Sequence, residues 1–329
     1  MTHAIRLHRT GPPEALSWEE VEPGPPGPGE ALLDQHAIGV NFIDTYHRSG
    51  LYPLDLPSGI GMEAAGVVLE VGDGVTEVLP GDRVAYVSGA PGAYAERRVV
   101  SANRLIPLPD FVDDATAAAA MLKAMTVEAL IHRVYRVNAG ETVLLHAAAG
   151  GVGILACQWL SRLGARVIAT AGSARKAALA RDNGADVVVD YGTEDFVARV
   201  REETNGKGVS VVYDGVGRAT FRRSLECLAP RGTLVLFGNA SGKPDAFDPN
   251  ELAARGSLYL TRPVLFHYIA SRPELLASAS RVFEELEAGT LRPHVGQRFA
   301  LQDAVQAHRA LEARATAGST LLVTAAAAV

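Results

Sequence analysis

The stretch His146-Ala147-Ala148-Ala149-Gly150-Gly151-Val152-Gly153 decides how the rest of this chain is read. Before it lies the apolar run Thr142 to Ala147, a strand candidate, and after it Gly153 to Leu163 has the periodicity of a helix. A glycine turn between strand and helix lets backbone approach a pyrophosphate, and the helix N-terminus aims N–H groups and a positive dipole end at the anion. Gly150 and Gly153 match the last two glycines of G-x-G-x-x-G, while Ala148 stands at the first. The strand-turn-helix context carries the nucleotide reading, since the incomplete motif alone is weak. Thr142 to Leu160 runs 19 residues without Asp, Glu, Lys or Arg, close to the ~20 apolar residues of a membrane span. Its glycine cluster suits a turn and a buried helix better than a span.

Outward from the turn, strands alternate with helices. The candidates are Thr142 to Ala147, Ala165 to Thr170, Ala185 to Val189, Val209 to Tyr213, Thr233 to Phe237 and Ser257 to Arg262, with helical runs such as Ser173 to Asn183 between them. Six such strands with crossovers predict an α/β unit, a doubly wound parallel sheet of Rossmann type, over residues 126–265. Upstream, the run Pro23-Gly24-Pro25-Pro26-Gly27-Pro28-Gly29 excludes helix and central strand. The apolar runs Ala31 to Val40, Ala64 to Val71 and Arg83 to Val87, set between glycine and proline turns, predict a β-rich, barrel-like unit. Downstream, helical runs near Pro273 to Ala288 and Leu301 to Ala313 and a strand-like Ser319 to Thr324 do not extend the alternation. They are assigned to the first unit, giving 1–125 with 266–329 around 126–265.

Composition narrows the class. The chain has 329 residues, and 37 acids against 31 bases leave a net charge of −6. That balance weighs against a nucleic-acid or anionic-membrane partner. Two cysteines, Cys157 and Cys227, exclude a disulfide framework and a multi-thiolate zinc site, and with no signal-peptide pattern in residues 1–6 they suggest a cytoplasmic protein. Both fall on apolar helical faces and are expected to be buried and inert.

The cofactor choice follows from a missing acid. A site for NAD places Asp or Glu about 20 residues beyond the turn to bond the ribose 2′-hydroxyl. Ile154 to Arg181 contains no acid, and the second strand is followed by Gly172-Ser173-Ala174-Arg175-Lys176. Ser173 as donor and Arg175 or Lys176 as cation suit a 2′-phosphate, so NADPH is expected. Tyr191, just past the third strand, is placed to close over an adenosine.

These residues, taken together, resemble the medium-chain dehydrogenase/reductase superfamily and, within it, the zinc-free quinone oxidoreductases of the zeta-crystallin-like branch. The matching stretches are Gly39-Val40-Asn41-Phe42-Ile43-Asp44-Thr45-Tyr46 with Arg48-Ser49-Gly50-Leu51-Tyr52-Pro53, and Gly61-Met62-Glu63-Ala64-Ala65-Gly66. Further matches are the 146–153 turn, Val212-Tyr213-Asp214-Gly215-Val216-Gly217, Phe237-Gly238-Asn239 with Ser241-Gly242, Gly256-Ser257-Leu258-Tyr259 with Thr261-Arg262-Pro263, and Arg314-Ala315-Thr316. They run in family order over nearly the whole chain. The resemblance implies a GroES-like barrel for the first unit. Zinc alcohol dehydrogenases of this superfamily carry a cysteine and a G-H-E histidine where this chain has Asn41 and Met62, both poor zinc ligands. No metal is expected, and without a Lewis acid alcohol oxidation is disfavoured.

What the resemblance implies instead is hydride transfer from NADPH to a quinone or another electrophilic acceptor. It places Phe42, Ile43, Asp44, Thr45 and Tyr46 at the nicotinamide end, with Asn41 and Tyr52 close by and Thr126 among the cofactor contacts. Gly150, Gly151, Val152 and Gly153 take the pyrophosphate. Gly172, Ser173, Arg175, Lys176, Tyr191 and Arg314 take the adenosine phosphate, and Phe237, Gly238, Asn239, Ser241, Pro263, Val264 and Leu265 flank ribose and nicotinamide. Tyr46, Tyr52 and Asn41 are the catalytic candidates, the tyrosines as hydrogen-bond donors to the acceptor oxygen. Met62 is expected to make the acceptor pocket narrower or more apolar, His47 to be an exposed loop histidine and His146 a satisfied core residue. Family members pair sheets through the sixth strand, so a homodimer through residues 257–262 is implied. Two alternatives stay open: a zinc-free NADPH-dependent enone or alkenal reductase, and an NADPH-binding structural or RNA-binding crystallin-like protein.

Overall fold

The computed structural model describes residues 2–87 and 89–328, and divides the chain into two compact units: residues 1–123 with 269–283 and 293–329, and residues 124–268 with 284–292. The last short segment departs from the sequence reading, which gave it to the first unit. Its attachment has a local cause: Arg292 N–H donates to Gln158 Oε1 (3.0 Å) and Gln158 Nε2 donates to the Arg292 carbonyl (3.1 Å).

In the second unit six strands, Thr142–Leu145, Arg166–Ala171, Val187–Asp190, Val209–Asp214, Leu228–Leu236 and Tyr259–Thr261, pair in parallel. Numbered along this unit, their order is 3-2-1-4-5-6, so the strand order reverses between the first and fourth strands, where doubly wound sheets bind ligands at the strands' C-terminal ends. Leu144, Ile168, Val189, Val212 and Leu234 form its core with Phe221 and Leu258. The first strand ends at Leu145, two residues earlier than its apolar pattern suggested, because His146 and Ala147 already belong to the turn. The fifth starts earlier, at Leu228, and leaves Phe237 beyond its end.

The first unit is built on Glu30–Val40. This strand pairs antiparallel with Glu63–Val71, Arg97–Ser101 and Ser319–Val323, and the sheet continues through Arg83–Val87 to Leu105–Pro107 on one side and Val295–Ala300 on the other. A three-stranded sheet, Leu16–Val21, Thr2–Leu7 and Ser58–Gly59, shares its core, in which Ile5, Leu7, Leu33, Ile38, Ile60, Tyr86 and Leu322 are buried. This is the β-rich, GroES-like half. Among the described residues no helix is long and apolar enough to cross a membrane.

Candidate active site

Each group of candidate cofactor residues in the second unit lies just beyond the C-terminal end of a strand. Gly150 to Gly153 follow the first strand, Gly172 to Lys176 the second, and Tyr191 the third; Phe237 to Ser241 follow the fifth, and Pro263 to Leu265 the sixth. Gly150 caps the helix Gly151–Arg162, whose first turn carries no acid. The first N–H groups of a helix have no acceptor within it, so Gly151, Val152 and Gly153 form a row of donors for an anion. Gly153 has to be glycine, since a β-carbon there would collide with the Ala147 carbonyl and the Ala148 backbone. Ser173 caps the next helix, Ala174–Asp182, by accepting from the Lys176 N–H at 3.3 Å, a bond that leaves its hydroxyl proton to donate. Arg175 is exposed beside it. Tyr191 is 44% exposed, and its hydroxyl lies so close to Gly172 that a β-carbon there would displace it. Donor row, cationic cap and glycine-backed tyrosine fit a dinucleotide with an extra phosphate.

In the first unit the candidates gather on the helix Phe42–Ser49. Asn41 caps it, its own N–H donating to Asp44 Oδ2 (2.8 Å), and Gly50, at φ +80°, ends it in the left-handed conformation. Thr45 donates back to the Phe42 carbonyl at 2.8 Å. The Tyr46 and Tyr52 rings meet edge to face with centroids 5.2 Å apart, and Tyr52 N–H donates to the Tyr46 carbonyl (3.1 Å). His47 is not an exposed loop residue: it lies in the last turn of this helix, 8% exposed, edge-on to Tyr52, and burial lowers its pKa. An isolated polar residue beside Arg48 and Ser49 gives no sign of that burial, because the helix is only eight residues long and its inward face is polar. Thr126 lies on the helix Asp114–Glu128, and Arg314 is exposed in the first unit with φ +55°.

The side chains that organise this helix were missed. Lys123 Nζ donates to Glu63 Oε1 at 2.7 Å, Asn41 Nδ2 donates to the same oxygen at 2.8 Å, and Leu122 N–H donates to Glu63 Oε2 at 2.9 Å. All three of the polar side chains are buried, and Gly39 lacks a side chain where the Glu63 carboxylate sits. The pattern did hold a signal: Lys123 is the sole charged residue between Ala115 and Val127. From the capped end a second chain leads inward. Tyr94 donates to Asp44 Oδ2 at 2.9 Å and lies 3.1 Å from His308 Nε2. Burial, with Glu63 adding to it, pushes the Asp44 carboxyl up to about 7. Burial and the Arg48 charge push His308 down to about 3.

The donor set does not fit zinc. Asn41's amide nitrogen is engaged by Glu63 and Gly39, Glu63 is engaged by an ammonium, and Met62 is 1% exposed and packed. Among the described residues no three His, Cys, Asp or Glu side chains come together as a metal would need. His146 is buried with both ring nitrogens partnered, and both cysteines are buried, their thiols pushed up to about 12.

Comparison with known proteins fits this geometry. Residues 27–110 match the alcohol dehydrogenase GroES-like domain and residues 151–278 the zinc-binding dehydrogenase domain. That pairing defines the class, a two-unit dehydrogenase of the medium-chain superfamily. A quinone oxidoreductase of Pseudomonas aeruginosa is 48% identical over 98% of this chain and all of its own. The structure of Escherichia coli quinone oxidoreductase complexed with NADPH superimposes with a TM-score of 0.96 at 46% identity, covering 98% of this chain and 99% of that one. A 2-haloacrylate reductase of Burkholderia is 44% identical over 98% of this chain. The chain belongs to the quinone oxidoreductase family of the medium-chain dehydrogenases/reductases.

Proposed function

We propose that this chain is an NADPH:quinone oxidoreductase that works without a metal. The observation that carries the reading is the second unit's row of strand-end groups, a glycine turn at a helix N-terminus followed by a serine-capped, cationic helix start, in a chain with quinone oxidoreductase relatives over 98% of its length. NADPH, when bound, supplies the hydride.

The chain's own residues then have separate tasks. Gly150 to Gly153 hold the pyrophosphate with backbone N–H groups. Ser173, Arg175 and Lys176 hold the 2′-phosphate, a charge-assisted contact that a 2′-hydroxyl could not repay. Tyr191 covers the adenine, with Gly172 making room for its hydroxyl. Phe237, Gly238, Asn239, Ser241 and Pro263 to Leu265 border the ribose and nicotinamide. The helix Phe42–Ser49 presents Phe42 to Tyr46 to the nicotinamide end, and Tyr46 and Tyr52 donate hydrogen bonds to the acceptor oxygen as negative charge develops on it. A quinone suits this set because its reduced product is aromatic, so hydrogen bonds and position suffice where an alcohol dehydrogenase needs a Lewis acid. Asn41 acts through the helix cap, since its amide nitrogen is already bonded.

The same reading includes a homodimer through the sheet edge Tyr259–Thr261, where Tyr259 is 60% exposed, and a cytoplasmic setting, which suits two free, buried thiols. A monomer by light scattering at micromolar concentration would remove the dimer. The activity is tested by steady-state NADPH oxidation with 1,4-benzoquinone, 9,10-phenanthrenequinone and an enone side by side. Quinone turnover should dominate; enone turnover far above it would reassign the acceptor, and tight NADPH binding with no turnover of any of the three would make the chain a binding protein.

A further inference from the structure

His146 has no task in the reading above, yet it is the middle of a hydrogen-bonded chain that crosses the fourth, first and second strands at their C-terminal ends. Ser224 donates to Asp214 Oδ2 at 3.0 Å, and His146 Nε2 lies 3.0 Å from the Ser224 hydroxyl. His146 Nδ1 lies 3.0 Å from the Thr170 hydroxyl, and that oxygen accepts from the Ala147 N–H at 3.4 Å. The direction of each bond is determined. A carboxylate only accepts, so Ser224 gives its one proton to Asp214 and must accept from Nε2–H. Burial holds the imidazole neutral, so Nδ1 is bare and accepts from Thr170, whose lone pair is left for Ala147.

Both ends of this chain reach backbone that adjoins segments of the cofactor reading. Ala147 opens the turn at φ +55°, a left-handed conformation that costs energy in a residue with a β-carbon. Two bonds to Thr170 hold it there, from Ala147 N–H to the hydroxyl and from Ala148 N–H to the carbonyl at 3.0 Å. At the other end Asp214 Oδ1 accepts from Val216 N–H (2.8 Å) and Gly217 N–H (3.0 Å), and the Val216 carbonyl accepts from Ser241 Oγ (2.8 Å). One buried relay thus spans the loops after the first, fourth and fifth strands, across the point where the strand order reverses.

We infer that His146, through Ser224, Asp214 and Thr170, is a positioning residue for NADPH: it fixes the pyrophosphate turn in register with the loop at residues 215–217. A leucine of similar size would fill the same space but would leave Ala147 without a tethered partner and Ser224 without a donor. The inference rests on the assignment of residues 150–153, which follow Ala147 in the same turn, to the cofactor's pyrophosphate.

The test compares NADPH with 2′-AMP, which has the adenosine phosphate but no pyrophosphate, on the full chain. His146→Leu should weaken NADPH about ten-fold, leave 2′-AMP within about two-fold, and raise KM for NADPH while kcat at saturation stays within about two-fold. Thr170→Val cuts the relay at the turn with the imidazole intact and should weaken NADPH about three-fold, and Thr170→Ser, which restores the hydroxyl, should return it to the wild-type value. Equal loss of both ligands in His146→Leu and Thr170→Val would mean general damage to the unit, and unchanged NADPH binding in both would mean the relay does not reach the turn; either result overturns the inference. A wild-type chain that binds 2′-AMP no less tightly than NADPH would instead overturn the pyrophosphate assignment beneath it.

Discussion

Each unit buries a polar network, and the two are finished differently. In the second unit every link from Asp214 to Thr170 has a partner, and the chain runs in one direction between fixed backbone ends. In the first unit the network is built on charge, Lys123 against Glu63, and it leaves atoms over. Asp44 Oδ1, His47 Nδ1, Arg48 Nε and His308 Nδ1 are the buried side-chain atoms without a hydrogen-bond partner among the described residues. Three of the four belong to the helix Phe42–Ser49 and the fourth to His308, which reaches Asp44 through Tyr94. Unsatisfied buried groups cost stability and persist where something else is gained. The unit proposed to hold the cofactor is tied down, and the helix assigned to the reacting end carries the unpartnered atoms.

The largest expected effect breaks the charged network. Lys123→Met leaves the Glu63 carboxylate buried without its cation and should cost about 3–5 kcal/mol in urea unfolding, most of which Lys123→Met with Glu63→Gln recovers. A loss under about 1 kcal/mol for the single variant would mean the pair is not the anchor of that unit.

The next concerns pH. Asp44 holds its proton to about 7 in the native state against 3.8 in the reference state, so the native chain binds the extra proton and stability falls as pH rises through that window. His308 runs the other way: it stays neutral to about 3 against 6.5, so stability falls as pH drops below 6.5. The two nearly cancel between pH 4 and 6.5, and each single variant should uncover the other. His308→Gln should leave stability declining toward pH 7, and Asp44→Asn should leave it declining toward pH 3, each by an amount on the order of 3 kcal/mol. Profiles parallel to wild type in both variants would sink this account of the orphaned atoms.

At the cofactor end, Lys176→Ala should weaken NADPH by about ten-fold and NADH by less than about two-fold, measured by fluorescence titration. Equal loss would separate Lys176 from the 2′-phosphate. The smallest effect is at the thiols. With Cys157 and Cys227 buried and pushed up to about 12, iodoacetamide at pH 8 should leave the native chain unlabelled and fully active.

The same contrast governs what could be read before folding. The second unit was legible because its logic is local: apolar strands separated by helical runs place each loop in turn, and a serine before a helix is a cap wherever it occurs. Only the ends shifted, as at Leu145 and Leu228, where turn residues share the apolar character of the strand. The first unit's centre was hidden because its partners are distant in sequence. Glu63 meets Lys123 and Asn41, and Tyr94 meets His308, through a fold that composition does not encode. His47 went wrong for the same reason, since a short helix with a polar inner face has no periodic pattern to reveal burial. The relay through His146 was half visible: the imidazole's burial could be expected beside an apolar strand, but Thr170, Asp214 and Ser224 come to it from other strands and from a helix.

The measurement that bears most directly on a metal-free NADPH:quinone oxidoreductase is turnover of 1,4-benzoquinone after exhaustive chelation and gel filtration, with NADPH and NADH as donors. Full activity with NADPH and a small fraction of it with NADH is the expected result. Activity lost on chelation and restored by zinc, or no preference between the two donors, would contradict the reading of the Asn41 and Met62 positions or of the Ser173 to Lys176 cap.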